Sequence, residues 1–312
     1  MDPLALGFIV FAAVLHAAWN ILLKSSGEPL RTAAIGVAAA SVVLVPAVLL
    51  AWLATGRPGV PASAWALGIT SGGVEVLYFA FLAAAFARGD LSVVYPIARG
   101  TAPLLAVALA VIVLGERLPP AAWAGVALLL AGLLLVQRPW RFLGPRRAGA
   151  PHDDRVAAGF AVLTGVTIAV YSAIDTVGVR EVPPWLYAGI LWPTCMVGLG
   201  LLVAVRGRLA AGADAGPERS AAAAVRVGET TVDVRVAVVG GFLTFSAYGL
   251  VLAALSRAPL AIVAPLRESA IVLTSLWGVV RLREATGLRE IVTRMGGTVL
   301  VLGGALVLAV AR

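Results

Sequence analysis

The sequence predicts an all-α integral membrane protein in which ten transmembrane helices form an inverted repeat of two five-helix units around a central cavity. Three observations indicate this fold class. Of the 312 residues, 61% are hydrophobic and only 13% are charged, whereas soluble domains carry about 25% charged residues. Apolar runs of membrane-spanning length recur along the whole chain. A proline–arginine stretch also occurs twice, at positions 169 residues apart.

The ten predicted spans are runs of about 20 apolar residues, each long enough to cross a hydrocarbon core of about 30 Å. They lie near 3–23, 32–54, 64–87, 91–114, 119–137, 156–178, 184–205, 236–256, 259–280 and 291–311. The links at 88–90 and 115–119 are very short, so the spans that they join are expected to be antiparallel neighbours.

The longer links divide the chain into two halves. The basic link 138–155 separates a first five-helix repeat, residues 1–137, from a second repeat, residues 156–312. The link 206–235 has mixed charge and is rich in Ala and Gly, so no structure is predicted for it. Because five is odd, two tandem copies cross the membrane in opposite directions, which gives an inverted-topology repeat.

The repeated stretch lies at the beginning of spans four and nine. Residues 87–99 align with residues 256–268, so that Pro96 matches Pro265 and Arg99 matches Glu268. A proline cannot donate a backbone hydrogen bond and kinks a helix. The two prolines are therefore either ordinary kinks or matched hinges for alternating access.

Arg99 and Arg267 lie about 12 Å inside their spans at 1.5 Å per residue, too deep to reach the interface freely. Each is either a structural arginine that binds freed backbone carbonyls or a clamp for a substrate carboxylate or phosphate. In the second copy the arginine is followed directly by Glu268, and the first copy has no such acid. We therefore expect Arg99 to be the substrate clamp and Arg267–Glu268 to be an internal or gating pair.

Further polar residues lie inside the spans and are candidates for the lining of the cavity. His16 and Asn20 are four residues apart and share a face of span one. Tyr171 and Asp175 occupy the corresponding positions in span six, and Tyr95 precedes Pro96 in span four. The alternative is that these residues only join helices by hydrogen bonds.

Glu75 is a carboxyl group in the middle of span three. No basic residue lies within a helical turn of it, so either its partner is on another helix or it is protonated. A protonatable carboxyl would suit proton coupling, and the alternative is a packing residue. Tyr78 follows one turn later and would line the same cavity.

Two motifs lie at helix ends and helix surfaces. Glu116 and Arg117 end span four at the membrane interface and are expected to form a local ion pair. Gly68 and Gly72 form a GxxxG pattern, which is interpreted as close helix packing within the chain. A homodimer stays open.

The charge pattern predicts a membrane partner and no nucleic acid. The net charge is +8, and 17 of the basic residues lie in the links that follow odd-numbered spans, against five on the other side. Basic loops beside anionic lipid account for this pattern, and the positive-inside rule places both termini outside the cytoplasm. One cysteine and two distant histidines give no metal-ligand pattern, and no cofactor is predicted.

Four segments carry a family resemblance: 16–20 (HAAWN), 95–103 (YPIARGTAP), 114–118 (LGERL) and 264–268 (APLRE). They resemble the EamA-type permeases of the drug/metabolite transporter superfamily, over essentially the whole chain. The resemblance implies a basket of ten helices that transports small molecules, and it leaves the substrate open. It also implies cytoplasmic termini, which disagrees with the charge count, so the orientation stays open.

The function expected from these features is secondary active transport of a small polar metabolite, anionic or zwitterionic, by alternating access. The expected location is a cell membrane, as a multi-pass protein of a bacterial inner membrane. One alternative is proton-coupled efflux of organic cations, in which an acid such as Glu75 is essential. A non-transporting scaffold is disfavoured by the ionisable residues inside spans, and an enzyme by the lack of HExxH, Gly-x-Ser-x-Gly and P-loop patterns.

Overall fold

The computed structural model describes residues 2–25, 28–88, 91–137, 154–213, 232–268 and 288–310. Within these ranges the chain forms ten α-helices and no strand. In chain order they are α1 Pro3–Ser25, α2 Pro29–Ala54, α3 Ala62–Phe86, α4 Leu91–Ile112, α5 Pro120–Gln137, α6 Asp154–Glu181, α7 Pro184–Ala213, α8 Val234–Leu255, α9 Leu260–Arg267 and α10 Leu288–Val310.

The predicted spans match these helices to within a few residues, except that α7 continues to Ala213, beyond the predicted span 184–205 and into the link 206–235 for which no structure was predicted. By length and apolar composition, the described parts of α2, α3, α6, α7 and α8 are each sufficient to cross a membrane, and α1, α4, α5 and α10 contain shorter apolar stretches. The predicted span 259–280 is described only as far as α9, and its remainder lies outside the described residues. The all-α membrane fold is confirmed.

The same helix contacts recur when each helix is replaced by its counterpart in the other half. In this replacement α1 to α5 correspond to α6 to α10. Thus α1 packs against α8 as α6 packs against α3, and α2 packs against α8 as α7 packs against α3. The pairs α2–α7, α4–α9 and α5–α10 each join a helix to its own counterpart. Within the described residues, helices of each half therefore pack against helices of the other.

Polar contacts show that corresponding helices run in opposite directions. Asp2, before α1, pairs with Arg257 beyond the end of α8 at 3.2 Å. Arg180, near the end of α6, pairs with Glu116 beyond the end of α4 at 3.4 Å. Glu116 also binds the first residue of α9. All of these groups lie at one end of the bundle, here called the Glu116 end, where α1 begins and its counterpart α6 ends.

Glycines allow the closest approaches between helices. At Gly68 an added Cβ would lie 2.7 Å from Cγ2 of Ile190, and at Gly72 it would lie 2.7 Å from the carbonyl oxygen of Leu191, both on α7. The prediction that this GxxxG pattern packs helices within the chain is confirmed. The backbones of Gly36 on α2 and Gly241 on α8 meet in the same way.

Candidate functional site

The most deeply buried ion pair joins α4 to the end of α9. Nη1 of Arg99 lies 3.0 Å from both carboxylate oxygens of Glu268, and the two side chains are only 6% and 5% exposed. Nη2 of Arg99 contacts Nε2 of His16 on α1. Nε of Arg267 donates to Oε1 of Glu268 at 3.3 Å. This arginine centre therefore consists of Arg99, Arg267, Glu268 and His16, drawn from both halves.

The geometry corrects the prediction that Arg99 has no acid partner. Glu268 binds both arginines, and its contact with Arg99 is the closer one. Arg99 and Glu268 occupy equivalent positions in the repeated stretch, so their contact places the pair close to the axis that relates the two halves. Sequence alignment gave their equivalence but could not show that equivalent positions touch.

The helices that carry these groups both contain a proline one turn or less before the arginine. Pro96 lies inside α4, which continues through it as a helix. Pro265 lies inside α9, which ends at Arg267. Each proline removes one backbone donor from a buried stretch. Their role as hinges remains a prediction.

A second polar cluster surrounds Asp175 on α6, whose side chain is fully buried. The hydroxyl of Tyr187 on α7 donates to Oδ1 at 2.9 Å, and the hydroxyl of Tyr248 on α8 donates to Oδ2. The ring of Tyr171 stands edge-on to those of Tyr78 and Tyr248, with centroids 6.0 and 5.6 Å apart. Asp175 thus lies in a wall of tyrosines contributed by four helices.

Glu75 belongs to the same acidic cluster. It is 4% exposed, close enough to Asp175 for their charges to interact, and beside the Cys195 thiol of α7. Its Oε2 has no hydrogen-bond partner among the described residues. No ion pair of Glu75 is found among the described residues, so its predicted role in proton coupling stays a prediction.

Comparison with known proteins now identifies the fold. Residues 3–138 match the model of the EamA-like transporter family. The first part of the chain is therefore similar to the EamA-like transporter family. A solved crystal structure, described only as that of a protein, is similar with a TM-score of 0.66 and 22% identity, covering 99% of this chain and 98% of that chain. No curated protein sequence matches the chain.

The family match lies in the first repeat, and the recurrence of helix contacts extends the same arrangement to the second. The family match agrees with the drug/metabolite transporter superfamily, which the sequence motifs resemble. Members of the EamA family are membrane transporters rather than enzymes. The chain is therefore a multi-pass membrane transporter, and the question that remains is what it carries.

A cavity of about 580 Å³ lies between α1, α2, α7 and α8 on the side of the Glu116 end. Its lining includes Phe8, Trp185 and Phe242, together with Trp192 and Phe245. The last two rings are stacked with centroids 4.0 Å apart. Trp192 also stands edge-on to Tyr248, which binds Asp175, so contacting aromatic rings connect this cavity to the acidic cluster.

Glu116 does not form the local ion pair with Arg117 that the sequence suggested. Its oxygens accept hydrogen bonds from the backbone N–H groups of Leu260 and Ala261 at 2.8 and 3.0 Å. Its charged partner is Arg180. The prediction was wrong because the turn after α4 lies against the beginning of α9, a neighbour that local spacing cannot show.

The predicted site residues thus form two groups. His16, Arg99, Arg267 and Glu268 meet in the arginine centre, and Glu75, Tyr78, Tyr171 and Asp175 meet in the acidic cluster. The side chains of Asn20 and Tyr95 lie outside the described residues. Sequence reasoning missed Tyr187, Tyr248, Trp192 and Cys195. A usable signal existed for Tyr248, which lies in the interior of the predicted span 236–256, whereas interfacial anchors would lie at span ends.

Proposed function

We propose that this EamA-like protein is a secondary active transporter of a small polar metabolite with an anionic group, anionic or zwitterionic overall, working by alternating access. The observation that supports it is the buried Arg99–Glu268 pair between the two halves. Among the described residues, two guanidinium groups surround one carboxylate there, and buried charges of this kind in a membrane protein mark substrate sites.

The carboxylate of Glu268 occupies the position that a substrate anion would take. A guanidinium group binds carboxylates and phosphates in the same planar geometry. A transported anion can therefore replace Glu268 on Arg99 while Glu268 keeps Arg267. Exchange of partners at the junction of the halves would couple binding to their relative motion, as in other inverted-repeat transporters.

The acidic cluster supports the zwitterionic form of the substrate. Glu75 and Asp175 supply two buried carboxyl groups, and the Tyr248 hydroxyl, which binds Asp175, belongs to a ring cluster with Tyr171 and Tyr78. Carboxylates and aromatic rings are the groups that bind an ammonium ion. The arginine centre would hold the anion, and the acidic cluster an amine or a proton.

The location proposed is a bacterial inner membrane. Spans in the bacterial outer membrane are β-strands of closed barrels, whereas the described part of this chain is helical. The predicted partners are a small-molecule substrate and, in a homodimer, a second copy of the chain.

A thermal-shift screen of the purified protein in detergent tests this function, because a ligand of the native state raises the melting temperature. The probes are amino acids, phosphonates, organophosphates and cationic dyes. We expect an anionic or zwitterionic compound to raise the melting temperature of the wild type and not of Arg99→Gln. Stabilisation that persists fully in Arg99→Gln would remove the arginine centre from the substrate site.

Efflux of organic cations is the second candidate, and the Oε2 of buried Glu75, which has no hydrogen-bond partner among the described residues, favours it. In that case cationic dyes alone would stabilise the protein, Glu75→Gln would abolish their effect, and Arg99→Gln would not. The same screen therefore separates the two functions by the charge of the ligand.

A further inference from the structure

Helix α9 begins without a cap of its own. Its N-cap residue is Pro259, which makes no side-chain hydrogen bond to the helix. The first backbone N–H groups of a helix have no partner inside it. Those of Leu260 and Ala261 are bound instead by Oε1 and Oε2 of Glu116, at 2.8 and 3.0 Å. A carboxylate from the first half therefore caps a helix of the second half.

The Glu116 side chain is held firmly in this position. It is only 6% exposed, and its outer contact is Arg180, which is 52% exposed. The turn that carries it depends on Gly115, whose φ of +65° is rarely adopted by other residues. The N–H of Glu116 returns to the carbonyl oxygen of Ala110 in α4 at 2.9 Å. The turn after α4 is therefore fixed, and it holds the Glu116 carboxylate at the start of α9.

This contact and the arginine centre join the same two helices. Arg99 lies on α4 and Glu268 directly follows α9, and they are paired near the middle of the bundle. The distance along α9 from Leu260 to Glu268 is about 12 Å at 1.5 Å per residue. Because α9 is short and helical, the position of its capped end sets how deep Glu268 reaches toward Arg99.

Given the alternating access proposed above, on which this step rests, we propose that Glu116 is a positioning residue that holds α4 and α9, and so the two halves, together at the Glu116 end. It seats α9 so that Glu268 meets Arg99. When the halves separate at this end, its bonds to Leu260 and Ala261 break, and α9 is free to shift with Glu268. The contact therefore ties the closure of one end to the pairing of the arginine centre.

Cys195 is a natural reporter for this opening. It is the only cysteine in the sequence, it is buried beside Glu75, and it lies about 16 Å along α7 from Pro184, which is at the Glu116 end. Water that enters from either end must approach the middle of the bundle to reach it.

The experiment measures the rate at which a membrane-impermeant maleimide labels Cys195 in sealed vesicles of each orientation. We expect Glu116→Gln to raise the rate several-fold from the Glu116 end and not from the opposite end. Glu116→Asp, which keeps the carboxylate, should restore part of the wild-type protection. Arg117→Gln, in the same turn with an exposed side chain, is the matched control and should label as the wild type does.

Equal labelling of wild type and Glu116→Gln, or a rise from both ends, would overturn the proposal, since general destabilisation exposes Cys195 from both sides. Failure of the proposed substrate class can be distinguished from failure of this positioning role. If no anion stabilises the protein but Glu116→Gln opens one end only, the positioning role holds and the substrate assignment falls.

Discussion

Arg99 and Glu268 occupy equivalent positions of the repeated stretch, and Nη1 of Arg99 lies 3.0 Å from both carboxylate oxygens of Glu268 where α4 meets the end of α9. A residue that meets its own counterpart must lie close to the axis that relates the two halves. The pair therefore lies where rocking of one half against the other changes the distance between the two side chains least. Once the pair separates, each side chain moves with its own half.

Removing one member of this pair should strongly destabilise the protein. Arg99→Gln leaves Glu268 buried with only Arg267, and breaking a buried pair costs about 3–5 kcal/mol. We expect a lower melting temperature in detergent for Arg99→Gln, measured by size-exclusion chromatography after heating. The exchange Arg99→Glu with Glu268→Arg should recover part of the loss. No recovery would show that the two charges do not interact as described.

The tyrosine donors to Asp175 give a second prediction. Tyr187→Phe and Tyr248→Phe each remove one hydrogen bond to a buried carboxyl group and should each cost about 1.5–3 kcal/mol, the range for bonds to charged groups. Their double variant should lose less than the sum, because both act on one residue. Thermal unfolding checks this. Glu75→Gln is the comparison and should cost less, since its Oε2 has no bond to lose among the described residues.

Close packing of α2 on α8 gives the third prediction. At Gly241 an added Cβ would overlap the backbone of Gly36, which cannot rotate away. Gly241→Ala should therefore destabilise the protein by about 1–3 kcal/mol, as overpacking does. Gly249, on the same helix, has no atom within 4 Å of an added Cβ, so Gly249→Ala is the control. Equal melting temperatures for the two variants would contradict this contact between the halves.

Much of this architecture could be predicted because a bilayer constrains sequence strongly. Ten apolar runs, an odd number per half and the matched Pro96 and Pro265 were sufficient for the fold and its inversion. The partners of Glu116 and Arg99 could not be predicted, because they lie on helices far away in the chain. Local spacing favours the nearest opposite charge, which is Arg117 for Glu116 and none for Arg99. In the folded chain Glu116 contacts Arg180 and the start of α9, and Arg99 contacts Glu268.

The most direct test of the central claim is the affinity of one stabilising anion from the thermal screen for three proteins, measured by isothermal titration calorimetry. If Glu268 occupies the substrate-anion position, Glu268→Gln should bind the anion more tightly than the wild type, because the competing carboxylate is gone while Arg99 and Arg267 remain. Arg99→Gln should bind it weakly or not at all. Loss of binding in Glu268→Gln together with normal binding in Arg99→Gln would contradict the account.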